Sequence, residues 1–107
     1  MKRTLLLICT LLCANVLFAQ VGTKFWVGDI QYQITLTNPA EVKVYDAITS
    51  ITTANIPETI NYNETTYSVT SIGNNAFLGC TSLTYVTIPE NITSVGDYAF
   101  NNCSSLT

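Results

Sequence analysis

The stretch "SIGNNAFLGCTSLT", residues 71–84, returns as "SVGDYAFNNCSSLT" at residues 94–107. Ser, Gly, Ala, Phe, Cys, Ser, Leu and Thr recur at fixed places, while Ile72 is answered by Val95 and Thr81 by Ser104. A fixed period in the low twenties marks a stacked-repeat architecture, whose units cannot each bury their own apolar face and so cover one another. No other feature narrows the possible folds so far.

One whole unit reads "LTYVTIPENITSVGDYAFNNCSSL", beginning at Leu83. Its apolar spacing is neither that of a strand nor that of a helix throughout, which suits one coil of a solenoid. A short strand is expected over Thr84 to Ile88, with Val86 and Ile88 inward. Pro89 has no N–H for a ladder and ends it. Gly96 is read as a tight bend, and Ala99 and Phe100 as fillers of the far side. The repeated plugs are then Phe77, Cys80 and Leu83 in one coil and Phe100, Cys103 and Leu106 in the next. An earlier, degenerate copy lies upstream, where "ITTANIPETI" from Ile51 matches "LTYVTIPENI" from Leu83. The step from Ile51 to Leu83 is longer than the step from Ser71 to Ser94. The excess matches an inserted hairpin at about residues 60–69, around "NYNETTY". Repeats therefore span 51–107 as about two coils, with the last repeat incomplete.

Residues 20–50 read as a β-rich N-terminal cap. "IQYQITL" alternates, with Ile30, Tyr32, Ile34 and Leu36 on one side. "EVKVYD" alternates again, with Val42 and Val44 inward. Two such runs around Asn38-Pro39 predict an antiparallel hairpin. Trp26 is expected to pack against it. The fold class is mainly β: a solenoid behind a hairpin cap.

Residues 1–19 have the layout of a secretory signal peptide. Lys2 and Arg3 precede an apolar segment from Leu5 to Phe18, and Ala19 is the small residue before the expected cut. The segment is too short for a membrane-spanning helix, which needs about 20 apolar residues. Residues 20–107 keep seven acids and only Lys24 and Lys43, a net charge of −5. That balance argues against nucleic acid as a partner, and no second apolar run argues for membrane insertion after cleavage. Cys80 and Cys103 are the cysteines left. An exported chain can keep disulfides, but repeat-equivalent side chains point the same way, so both are expected as free, buried thiols.

The sequence contains no histidine, which excludes histidine triads and histidine metal sites. The acids are scattered, with Glu58 and Glu90 at equivalent repeat positions. Neither a catalytic set nor a cofactor is expected. Asn63, Asn91 and Asn102 fit the N-glycosylation pattern and are expected to be unoccupied.

"IGNNAFLGCTSLTYVTIPENITSVGDYAFNNCSSLT" closely resembles the BspA-type leucine-rich repeats: an apolar-Gly pair, Ala-Phe, Cys, Leu, and Ile-Pro after the strand. The upstream residues look like the β-rich segment that often opens such proteins. The resemblance implies that the solenoid is right-handed, and that the protein is exported or surface-attached, non-enzymatic and associated with adhesion to proteins or host surfaces. The outward strand residues Thr52, Thr53, Asn55, Thr84, Tyr85 and Thr87 should then form the concave face, open to an extracellular protein or glycan. The alternative is a structural spacer that displays a further domain.

Overall fold

The computed structural model describes residues 20–107; the signal peptide read over residues 1–19 lies outside them. Among the described residues the structure is all strand and turn.

Three antiparallel strands come first. They are β1 (Lys24–Val27), β2 (Ile30–Thr37) and β3 (Ala40–Ala47). Period-two alternation gives β2 and β3 one buried face: Ile30, Tyr32 and Ile34 from β2 meet Val42 and Val44 from β3. Leu36 departs from the expected pattern. The pairing slips between Ile34 and Leu36, and Leu36 emerges into solvent. Trp26 lies on the outer face of β1, beside the hairpin strand β2. It sits in β1 opposite Gln31 and is 49% exposed.

The chain then makes β4 (Thr53–Asn55), β5 (Thr59–Tyr62) and β6 (Thr65–Ile72). β5 and β6 form a hairpin whose two-residue loop, Asn63-Glu64, has positive φ at both positions (49° and 65°). That backbone is the one whose twist matches the flanking strands. β6 runs without interruption from the inserted hairpin into the regular repeat. Two strands remain, β7 (Tyr85–Thr87) and β8 (Ser94–Val95). The first half of β6 pairs with β5 and its second half with β8.

Coils stack through two parallel ladders. On one side β4 pairs with β7, in the register Thr53↔Tyr85, Ala54↔Val86 and Asn55↔Thr87. That offset is the one by which "IPETI" and "IPENI" align. On the other side β3, β6 and β8 run parallel, with Val44↔Ile72 and Ile72↔Val95. Between the ladders the turns also stack: the N–H groups of Asn75, Phe77 and Gly79 donate to the carbonyls of Asp97, Ala99 and Asn101 at 2.8–3.0 Å. Each turn holds two residues in the left-handed region at repeat-equivalent places, Asn75 with Tyr98 and Gly79 with Asn102.

The large sheet has the order β1-β2-β3-β6-β5. Its ends meet nonetheless. Phe25 of β1 stacks on Tyr62 of β5 with centroids 4.1 Å apart and planes 9° apart, beside Tyr32 and Tyr67. The sheet is therefore curled into a half-barrel whose inner face is this aromatic cluster. The core continues through Val42, Val44, Val69 and Ile72 into Phe77, Cys80 and Leu83 of the first regular coil.

Gly96 serves a different purpose from the expected bend. It lies directly over Gly73–Asn74 of the coil before. A Cβ on Gly96 would meet the Asn74 side-chain oxygen, and would lie 2.5 Å from the Asn74 nitrogen and 2.7 Å from the Gly73 carbonyl carbon. Glycine is needed for close approach of two coils.

Candidate functional site

The β4–β7 ladder sets the face anticipated from the sequence. Alternation turns Ala54 and Val86 inward and leaves Thr53, Asn55 and Tyr85 outside, with Thr52 and Thr84 exposed just before the strands. Thr87 is half-buried. Backbone and side chains tie the two coils together here. The Thr84 N–H and Oγ1 both donate to the Thr52 carbonyl, at 2.8 and 3.1 Å, and the Thr87 hydroxyl donates to Asn55 Oδ1 at 3.1 Å. One further amide, from Asn91, reaches the Glu58 carbonyl at 3.2 Å. The six residues therefore lie along one surface, and Tyr85 is its aromatic, 58% exposed. Such a surface can offer hydroxyls, one amide and one ring to a partner.

Ile88, expected inward, is instead 47% exposed. β7 ends at Thr87, because Pro89 has no N–H with which to prolong the ladder.

The plugs fall in two groups. Phe77, Cys80 and Leu83 are fully buried, whereas Phe100, Cys103 and Leu106 are half-buried. Both cysteines are free thiols. Each thiol donates to an upstream carbonyl, Cys80 to Ile48 just before the repeats at 3.7 Å and Cys103 to Phe77 of the coil before it at 3.1 Å. Burial pushes both thiols up in pKa, and for Cys80 the neighbouring Cys103 and Asp46 push the same way. A raised pKa keeps them protonated and poorly nucleophilic. Burial also raises the Tyr32 hydroxyl, to about 12.

One constellation goes beyond the sequence-based expectation. Lys24 and Lys43, on different strands, both lie against the Tyr45 ring. The register of β1, β2 and β3 brings them together, through Lys24↔Gln33 and Gln33↔Lys43. In the sequence only the alternation of "EVKVYD", which sets Lys43 and Tyr45 on one side, hints at it.

Short coils stacked by parallel strand pairs, with Phe, Cys and Leu plugs at a fixed period, define a leucine-rich-repeat protein. The chain belongs to the BspA-type leucine-rich-repeat family: the family described as "BspA type Leucine rich repeat region (6 copies)" matches residues 50–107. Solved structures agree. A leucine-rich repeat protein from Bacteroides capillosus ATCC 29799 superposes with a TM-score of 0.69 at 32% identity, over 78% of this chain and 62% of its own. One from Bacteroides ovatus ATCC 8483 gives 0.64 at 34% identity, over 77% of this chain and 22% of its own. A leucine rich cell surface protein from Faecalibacterium prausnitzii A2-165 shares the fold, at a TM-score of 0.55 and 23% identity, over 82% of this chain and 30% of its own. The chain thus spans less than two thirds of each of these relatives. No curated protein matches it in sequence.

Proposed function

We propose that the chain is a binding module of an exported or cell-surface protein, and that it engages an extracellular protein or glycan through the β4–β7 face. The observation that carries this reading is Tyr85, an exposed ring on a surface where the Thr84, Thr87 and Asn55 side chains bridge two coils. Rigid aromatic and hydroxyl-bearing positions lose little entropy on binding, which favours them at interfaces. The leader-like residues 1–19 support export, as does the family, one of whose relatives is described as a cell surface protein.

The experiment is a binding screen of the full chain against purified extracellular proteins and glycans, repeated with Tyr85→Ala and Thr53→Glu. A partner whose affinity drops at least tenfold in both variants supports the reading. A partner bound equally well by both variants would place recognition elsewhere. Absence of any partner would favour the spacer role.

A further inference from the structure

Residues 20–107 carry seven carboxylates and two cations, and the fold puts both cations on one surface. The register lays out a row across five strands: Lys24 opposite Gln33, Gln33 opposite Lys43, Lys43 opposite Ser71, Ser71 opposite Ser94. This row is on the outer face of the curled sheet, because the alternate residues Phe25, Tyr32, Val42, Val44 and Ile72 fill the core. The Nζ atoms of Lys24 and Lys43 lie 4.3 and 5.9 Å from the Tyr45 ring centre. Two ammonium groups gathered on one ring repel each other. The ring offsets part of that repulsion, and an anion between them would offset more.

Both acids on β3 lie on this outer face too, Glu41 two residues before Lys43 and Asp46 opposite Gln31, where Asp46 lines a hollow with Tyr45 and Asn74; each already accepts a hydrogen bond. Glu41 accepts from the Thr70 hydroxyl at 3.4 Å, and Asp46 accepts from the Ala47 N–H at 2.8 Å. Beside the lysine pair lies a groove of about 470 Å³, whose lining includes Lys43, Tyr45, Ser71, Asn74 and Ser94, with Gly73 and Gly96 adding no side chain. That volume is in the range of small-molecule sites. Besides the Lys43 ammonium its polar side chains are hydroxyls and an amide, and the exposed Trp26 lies on the same side of β1 as Lys24. β6 is already paired with β3 on one side and with β5 and β8 on the other, so an extended peptide cannot add there as a strand.

We propose that this outer face binds an anionic saccharide of the uronate class. The sugar carboxylate lies between Lys24 and Lys43, and ring hydroxyls are held by Ser71, Asn74 and Ser94. This site is separate from the β4–β7 face and does not depend on that face having a partner.

Trigalacturonate and its fully methyl-esterified form are titrated calorimetrically into the full chain at low salt, where screening is weakest. The expected result is at least tenfold tighter binding of the acid than of the ester. Lys24→Gln and Lys43→Gln should each weaken binding at least fivefold, Lys43→Arg should restore most of it, and Tyr85→Ala should leave it unchanged. Both lysines reach the surface, so matching melting temperatures will show that the variants are folded. Equal binding of acid and ester, or no binding of either, overturns the proposal. Polyglutamate bound as tightly per carboxylate as trigalacturonate also overturns it, by showing a site for acidic peptide.

Discussion

Phe77 and Phe100, one repeat apart, stack ring on ring with centroids 5.1 Å apart and planes within 5° of parallel. The same side chain at the same place in consecutive coils thus makes a column that continues the core along the solenoid. Phe77 is closed in from both directions, whereas Phe100 remains half-buried.

Truncation should therefore cost unequal amounts at these two equivalent positions. Phe77→Ala removes a fully buried ring and its stack, and losses of about 3–5 kcal/mol are usual for such changes. Phe100→Ala removes a ring that still meets solvent and should cost about half as much. Urea unfolding of both variants measures the difference. Equal losses would mean that the column contributes nothing beyond local packing.

Gly96→Ala should separate two coils at the point where they are closest. The added methyl meets the backbone of Gly73 and Asn74, which cannot swing aside as a long side chain could. Overpacking of this kind costs about 1–3 kcal/mol. Gly28→Ala is the comparison. Its φ is +62° but the space around it is open, so only left-handed strain of about 1 kcal/mol is expected. Thermal melting should rank the Gly96 variant below the Gly28 variant, and the reverse order would refute the close-approach reading.

Contacts between near neighbours or repeat equivalents are legible in the sequence, and those that depend on long-range register are not. β2 and β3 can be read because their alternation is local and long. The β4–β7 pairing can be read because "IPETI" and "IPENI" place the same Ile and Pro residues at equivalent points of two coils. β1 is hidden: "KFWV" is four residues long, too short for alternation to stand out, and its partner is what makes it a strand. The lysine row is hidden for the same reason. In the sequence the two cations look scattered, and three strands must pair, with an irregularity at Gln31/Tyr32, before both reach Tyr45. At Gly96 the residue type is informative but its reason is not, since nothing local distinguishes a bend from a close approach.

Alkaline pH should destabilise the fold in two stages. The thiols of Cys80 and Cys103 and the hydroxyl of Tyr32 all have folded pKa values above their ordinary ones, owing first to burial. For a group raised in this way, the folded state holds its proton longer than the unfolded state does. Its stabilising contribution is complete below the unfolded pKa and is lost as pH rises through the folded one. Stability should hold to about pH 8.5, decline as the unfolded thiols ionise, and fall faster above about pH 10 as Tyr32 is drawn in. Tyr32 moves from 10.0 to about 12, which corresponds to about 2–3 kcal/mol by pH 12. Tyr32→Phe should remove the second stage and leave the first, as urea midpoints between neutral pH and pH 12 would show. A Tyr32→Phe profile identical to the parent's would be the contrary result.

Residues 20–107 produced alone should self-associate. The outer edge of β7 is unpaired among the described residues, since its sheet contains only β4 and β7. Beside that edge lie Phe100, Cys103 and Leu106, packed on the core from one side only, and the exposed Tyr85, Ile88 and Val95. An open strand edge flanked by apolar side chains is a template for further pairing. In a solenoid the matching surface is another coil, whose Phe, Cys and Leu would extend the column begun by Phe77 and Phe100. Adding two repeats of the form "YVTIPENITSVGDYAFNNCSSLT" after Thr107 and a polar final coil should therefore cover the edge. The extended chain should sediment as a monomer and melt well above residues 20–107, which should sediment as larger species in proportion to concentration. If the shorter chain is monomeric and melts as high as the extended one, the surface formed by β7, Phe100 and Leu106 needs no cover.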